Sequence, residues 1–187
     1  MSLELRPALS RPDLLAKPVA AALARWPEAV AAEVEVAEID PQLADTAAFC
    51  EHYDVPLEES ANCVIVAGRR GGDTRFAACL ITAVTRADVN NIVRRRLDVR
   101  KASFASMDDA LAATGMEYGG ITPIGLPADW PVLVDATVAK QPWIIVGSGI
   151  RGSKLLLPGR VLAGLKTAEV IEGLGLPAEP AEAGRTD

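Results

Sequence analysis

Histidine occurs once in this 187-residue chain, at His52, and cysteine three times, at Cys50, Cys63 and Cys79. A single histidine excludes a His pair as metal ligands. It also leaves His52 as the one residue a Ser-His-Asp triad could use. His52 lies among Glu51, Tyr53 and Asp54 in a predicted helix, a solvated setting rather than a catalytic one. Three cysteines are an odd number, and none forms a CxxC pair, so neither a disulfide framework nor a structural zinc site is expected. A reducing, cytoplasmic location fits that pattern. No run reaches eighteen apolar residues, so no membrane span is expected. No charged n-region precedes an apolar h-region at the N-terminus, so no secretory signal is expected either.

What is present is a chain half hydrophobic, long enough to bury a good core as one domain over about residues 1–177. Residues 1–33 read as an N-terminal helical extension, and 178–187, rich in Pro, Ala and Glu, as a disordered tail. The net charge of −6 is unevenly spread: residues 69–101 carry nine Arg/Lys against three Asp, a net +6, leaving −12 for the rest. Arg69, Arg70, Arg94 and Arg95 lie in that segment. A basic segment in an acidic chain suits phosphates, although Arg94-Arg95-Arg96 also fits a solvated helix face.

The most unusual stretch is Thr114-Gly115-Met116-Glu117-Tyr118-Gly119-Gly120-Ile121-Thr122-Pro123-Ile124-Gly125, with four glycines and a proline between apolar segments. Glycine lets backbone approach a ligand, and proline stiffens a loop. Bare N–H groups on a rigid loop suit a small polar substrate or a developing oxyanion. A plain Gly-rich strand connection has the same composition.

Along the chain, Ser10 is expected to cap a helix over about Pro12–Trp26, followed by a half-exposed strand from Val34 to Ile39. Asp40-Pro41 opens a helix to about Tyr53. Cys63 to Ala67 and Arg75 to Val84 read as strands joined by a turn over Arg69-Arg70-Gly71-Gly72-Asp73. Thr85-Arg86-Ala87-Asp88 reads as a capping box for a helix with Val89, Ile92, Val93 and Leu97 inward. A strand follows at Lys101–Ala105. Ser106-Met107-Asp108-Asp109 is a second capping box, for a helix stopped by Gly115. Strands are expected at Val132–Val134, Trp143–Val146, Ser153–Leu157 and Glu169–Ile171, with a short helix over Arg160–Leu165. Without strict βαβ alternation, this mixture is α+β with a mixed or antiparallel sheet.

Four ordered blocks resemble the YbaK / prolyl-tRNA-synthetase-associated editing domains. Thr114-Gly115 followed by Gly119-Gly120-Ile121-Thr122-Pro123-Ile124-Gly125 looks like that family's first glycine loop. Asn62-Cys63-Val64-Ile65-Val66 stands where the family has Lys-Thr and an apolar strand. Val134-Asp135 matches a strand-ending aspartate, and Val146-Gly147-Ser148-Gly149-Ile150-Arg151-Gly152 a second glycine loop. The resemblance covers about residues 34–172. It implies an α/β fold with a mixed, partly barrel-like sheet and flanking helices. It also implies hydrolysis of the ester of mischarged aminoacyl-tRNA, with no metal, no cofactor and no DNA, either alone or with a synthetase. The amino acid edited and the oligomeric state stay open.

On that resemblance, Gly119 and Gly120 place the ester carbonyl. Thr122, Pro123, Gly125, Gly147, Ser148 and Gly149 bind substrate, and Asp135 organises the cleft or meets the amino group. Ser148 has no base within sequence reach and reads as a hydrogen-bonding loop residue. The chain departs from the family at its lysine, which here is Asn62. An amide offers two donors and no charge, an ammonium three donors and a full charge. Lys154, just past the second glycine loop where the resemblance implies an acidic residue, is the candidate replacement cation; a solvated strand lysine is the plainer reading.

Overall fold

The computed structural model describes residues 3–178. Of the expected tail, only Ala178 is included, its N–H reaching the Val84 carbonyl at 3.4 Å; 179–187 lie outside the described residues. Eleven strands among the described residues form three sheets. The first, in order β1-β2-β9-β8, joins β1 (Leu5–Pro7), β2 (Glu35–Glu38), β9 (Ser153–Leu157) and β8 (Ile144–Gly147), all antiparallel.

The second sheet, in order β10-β7-β4-β3-β6, is mixed. The hairpin of β3 (Ala61–Arg70) and β4 (Asp73–Thr82) is antiparallel, whereas β7 (Val132–Asp135) runs parallel to both β4 and β10 (Ala168–Ile171). β6 (Ala102–Phe104) pairs antiparallel with β3. A parallel bridge from Ser60 to Ile145 links the two sheets where β3 begins, giving the expected mixed, partly barrel-like arrangement. The third sheet pairs β5 (Thr85–Ala87) with β11 (Gly175–Pro177).

The main core lies between the sheets and includes Leu80, Val134, Ile144, Val146, Leu155 and Leu157. Each fully buried aliphatic side chain of this kind contributes roughly 1.5–3 kcal/mol. The N-terminal segment adds Leu14, Leu15, Val19 and Leu23 to the same core. A second cluster under the five-stranded sheet holds Val66, Cys79, Val93, Leu97 and Leu133.

Several helix boundaries differ from expectation, and tertiary contacts explain them. The first helix does not begin at Pro12: a 3-10 turn Pro12–Leu14 is followed by extended Leu15 and Ala16, and α1 spans Lys17–Leu23. Ala16 N–H donates to the Ser148 carbonyl, holding this segment against the second glycine loop. Ser10 Oγ donates to the Pro7 carbonyl instead of capping a helix. The chain continues through α2 (Glu28–Ala31). The expected Pro41–Tyr53 helix is split: Asp40 caps a 3-10 turn Pro41–Leu43, and Asp45 caps α3 (Thr46–Tyr53).

Thr85 opens a strand, not a helix. Its hydroxyl donates back to the Thr82 carbonyl, and its backbone pairs with Pro177. The cap is Asp88, which accepts from Asn91 N–H, and a π-helical turn Val89–Val93 runs into α4 (Arg94–Arg96). Ser106 does cap α5 (Met107–Thr114), and Gly115 ends it at φ +65°, as expected. Two short helices, α6 (Ala136–Ala139) and α7 (Gly159–Ala163), complete the chain.

Candidate active site

The two glycine loops fold against each other by backbone contact. Gly149 N–H donates to the Gly120 carbonyl at 2.7 Å, and Glu117 N–H to the Gly149 carbonyl at 2.8 Å. A Cβ on Gly147 would overlap the carbonyl oxygens of Gly120 and Ile121, and one on Gly120 would overlap the Ile150 backbone. Glycine is needed there because main chain meets main chain.

Beside this junction lies a cavity of about 660 Å³. One wall is the start of β3, with Ala61, Asn62, Cys63, Val64 and Ile65. Another is formed by Phe104 of β6 and by Met107, Ala110 and Leu111 of α5. Tyr118, Gly119 and Ile121 come from the first glycine loop, and Gly147, Arg151 and Lys154 from the second loop and its flanking strands. Ala44, Asp45 and Thr46, at the start of α3, close the remaining side.

Asn62 and Lys154 therefore face one cavity. Thr46 Oγ1 donates to Asn62 Oδ1 at 2.7 Å, which fixes the amide with its oxygen toward α3. Lys154 is 6% exposed. Its Nζ donates to the Ala44 carbonyl at 2.9 Å and lies 5.4 Å from the Phe49 ring centroid. Burial lowers the pKa of this ammonium, and the positive Arg151 adds to that; Cys50 and Asp45 oppose it. The nearest antiparallel partner of Lys154 on β8 is Gly147, so the strand register itself brings the lysine to the glycine junction.

Not every residue singled out in the sequence reaches this cavity. Gly119 lines it, but Gly120 does not, and the Gly120 N–H already donates to the Glu117 carbonyl at 3.0 Å. Gly147 lines it; Ser148 and Gly149 lie behind. Ser148 is fully buried, its Oγ 2.6 Å from Ser153 Oγ, which in turn donates to the Leu14 carbonyl. Gly149 packs on Ala16 and Val19. Thr122, Pro123 and Gly125 are inside the first loop, where Gly125, at φ +83°, abuts the Pro18 carbonyl.

Asp135 caps α6 through Thr137 N–H at 2.8 Å and accepts from Gly175 N–H at 2.6 Å, so its contacts tie β7 to β11. Arg69, Arg70 and Arg94, with Arg100, surround a separate depression of about 530 Å³. There Arg70 pairs with Asp98, and Arg94 Nε donates to the Asn90 carbonyl at 2.7 Å. Arg95 is exposed beside it.

The structure adds cavity residues that the sequence did not mark. Asp45, whose Oδ1 caps α3 by accepting from Ala47 and Ala48 N–H, puts a carboxylate in the wall. Arg151 donates to the Tyr118 and Pro41 carbonyls, both at 3.0 Å, and clasps the first loop to the 3-10 turn. Asp45 immediately precedes α3 without a glycine or motif to flag it, and Arg151 was visible only as part of the second loop. Cys63 also lines the cavity, but burial and neighbouring Cys79 push its thiol pKa well above the ordinary range. It is protonated near neutrality and is not a thiolate nucleophile. No group of three or more His, Cys, Asp or Glu placed to hold a metal occurs among the described residues. No helix among them is long and apolar enough to cross a membrane.

A small-molecule-sized cavity edged by backbone-packed glycine loops and one buried cation offers positioned backbone and charge to a ligand. The chain belongs to the aminoacyl-tRNA editing domain family, whose model matches residues 40–165. It is 28% identical over 138 residues to the uncharacterized protein YwhH of Bacillus subtilis (strain 168), covering 74% of this chain and 85% of that one. The fold is similar to the crystal structure of a candidate trans-editing enzyme for prolyl tRNA synthetase, with a TM-score of 0.69 at 17% identity over 84% of this chain and 94% of that one. It is also similar to the hypothetical protein APE2540, with a TM-score of 0.70 at 19% identity over 82% and 99% of the two chains.

Proposed function

We propose that this protein is a trans-acting aminoacyl-tRNA deacylase that hydrolyses the ester of a tRNA mischarged with a small amino acid. The observation that carries the reading is the buried Lys154 ammonium in the wall of the cavity that also holds Asn62. Transition-state charge on an ester carbonyl needs preorganised donors. Asn62 supplies an amide, Lys154 a charge, and Gly119 a backbone N–H, which among the described residues has no backbone acceptor of its own. Asp45 is the carboxylate in the wall that a substrate α-ammonium would meet. With no thiolate and a fully sequestered Ser148, water is the nucleophile. A cavity of about 660 Å³ must accommodate the terminal adenosine as well, which leaves room for a small side chain only.

The tRNA body extends toward the arginines. β3 carries Asn62 near one end and Arg69 near the other, and seven extended residues span roughly 23 Å. Arg69, Arg70, Arg94 and Arg95 would meet phosphates there, making binding salt-dependent. A second reading, a binding protein that holds charged tRNA without cleaving it, is favoured by Asn62 standing where the family resemblance has lysine. A panel of mischarged tRNAs separates the two. Turnover by the wild type that is lost in Lys154→Ala supports the deacylase. No wild-type turnover on any member, with turnover gained in Asn62→Lys, supports the binding protein.

A further inference from the structure

Glu117, Tyr118, Gly119 and Gly120 form a β-turn, closed by the Gly120 N–H on the Glu117 carbonyl at 3.0 Å. Gly119 takes its third position at φ +82°, and Tyr118 before it keeps a negative φ, which is the type II form. The peptide joining Tyr118 to Gly119 is the middle unit of that turn. In a type I turn the same unit is rotated by about 180°, and glycine has no Cβ to forbid either form. Something outside the turn must hold this peptide in one orientation.

Arg151 supplies that hold. Its Nη1 donates to the Tyr118 carbonyl and its Nη2 to the Pro41 carbonyl, both at 3.0 Å, so the planar fork is itself fixed at two points. Its backbone N–H donates to Glu117 Oε2 at 2.8 Å, at the first residue of the turn. A Cβ on Gly119 would stand 3.0 Å from Nη1, so the glycine also makes room for the guanidinium. A trans peptide is planar, with its N–H opposed to its C=O. A cation on the Tyr118 oxygen therefore fixes the Gly119 N–H on the far side and, by polarising the unit, makes it a stronger donor. Gly119 lines the cavity, and its N–H has no acceptor among the described residues.

We infer that Arg151 is a positioning residue: bonded to the Tyr118 carbonyl, it locks the Tyr118–Gly119 peptide so that the Gly119 N–H is presented to the oxygen of the substrate ester. The inference rests on the deacylase reading for what the N–H meets; the lock itself stands on the turn and the guanidinium. A hydrogen bond to a charged group is worth roughly ten- to 150-fold in an equilibrium. Losing this one shifts the balance between the two peptide orientations by that factor.

The chain has two tyrosines, and only Tyr118 precedes a glycine, so ¹³C-carbonyl tyrosine with ¹⁵N-glycine marks this peptide alone. A carbonyl-to-amide correlation spectrum of the full chain then gives one peak. In Arg151→Ala that peak is expected to move and broaden as the peptide turns. In Glu117→Ala, which removes only the neighbouring backbone contact, it stays sharp. On the mischarged tRNA that the wild type cleaves fastest, Arg151→Ala should lose roughly ten- to 150-fold in kcat with KM nearly unchanged, the mark of an interaction made in the transition state. Added ethylguanidinium should restore part of that loss. Arg151 bears on Lys154 with like charge, so removing it eases the ammonium and would by itself raise turnover, the opposite sign. Thermal melts check folding, and Arg151→Met, which keeps the stem without the donors, stands in if the alanine variant does not fold. An unmoved peak, a change in KM alone, or an equal and unrescued loss in Glu117→Ala overturns the inference. A peak that moves in the variant of a protein that cleaves no mischarged tRNA sinks the deacylase and keeps the lock. Cleavage by the wild type with an unmoved peak keeps the deacylase and sinks the lock.

Discussion

Replacing Lys154 with methionine should separate what its ammonium does for catalysis from what it costs the fold. The side chain is 6% exposed, its Nζ is bonded to the Ala44 carbonyl, and burial lowers its pKa from the ordinary lysine value. Between that lowered value and about 10.4, where an unfolded lysine titrates, the unfolded chain holds a proton that the folded chain has released. In that window stability rises with pH by about 1.4 kcal/mol per unit. Below it both states are protonated and the burial cost is felt in full. Methionine keeps most of the stem and has no proton to lose. The difference in unfolding free energy between wild type and Lys154→Met should therefore move in favour of the wild type as pH rises through the window. Deacylation should move the other way, because the transition state needs the charged form. Lys154→Met itself should lose about 10²–10³ in turnover, the size of one removed oxyanion donor. Urea titrations at steps from pH 6 to 10.5, with deacylation rates corrected for spontaneous hydrolysis, measure both. A flat stability difference over that range would show that Lys154 is not held as a costly buried cation. Deacylation that rises through the same window would refute the charged-form mechanism.

Other expectations follow from single contacts. Gly147→Ala puts a Cβ onto the Gly120 and Ile121 carbonyls, so it should cost about 1–3 kcal/mol in urea unfolding and open the loop junction; an unchanged midpoint would mean that the loops can part freely. Thr122 Oγ1 is buried without a partner, so Thr122→Val should be neutral or stabilise by about 1 kcal/mol in thermal denaturation, whereas a clear loss would point to an unseen hydrogen bond. Ser106 accepts from Asp109 N–H at 3.1 Å, and Ser106→Ala should cost about 1 kcal/mol and raise KM more than it lowers kcat, because α5 forms one cavity wall. Arg69→Ala should weaken tRNA binding and reduce the slope of log affinity against log salt by about one, and an unchanged slope would remove Arg69 from the phosphate contacts.

The fold was legible where local chemistry and the final environment agree. Ser106 and Gly115 delimit α5 as their side-chain oxygen and left-handed φ require, and the apolar runs of β7 and β8 became buried strands, that of β3 a partly buried one. It was illegible where a distant segment competes for the backbone. Thr85 has the spacing of a helix cap, but pairing with a strand ninety residues later in the chain takes its main chain. Pro12 could start a helix, but the Ser148 carbonyl draws Ala16 into extended backbone. The site divides in the same way. The glycines pointed to close backbone approach, and the approach is there. Which of them touch the cavity depends on loop geometry, so Gly119 and Gly147 line it while Gly120 and Gly149 hold the two loops together. Asp135 has the chemistry of a substrate ligand, yet its two oxygens are taken by Thr137 and Gly175, contacts that no spacing rule foresees.

Asn62 and Lys154 gain their meaning from facing one cavity. A cation beside a reacting ester is useful only if it is desolvated, and desolvation is what makes it expensive. At the start of β3 a side chain is half-buried and meets the Thr46 hydroxyl, which donates to the Asn62 amide oxygen and would have to turn its lone pairs inward to serve an ammonium. At the start of β9 the chain is covered by α3, the Ala44 carbonyl accepts a donor, the Phe49 ring offers a π-face and Asp45 adds a negative field. The second environment offers an ammonium a carbonyl acceptor, a π-face and a negative field, and the first offers the amide a hydroxyl donor. A second ammonium in the cavity would repel Lys154, on which Arg151 already bears with the same sign. Among the residues lining the cavity the lysine stands at position 154, where the Ala44 carbonyl accepts from it, and the amide stands at position 62, where the Thr46 hydroxyl donates to it.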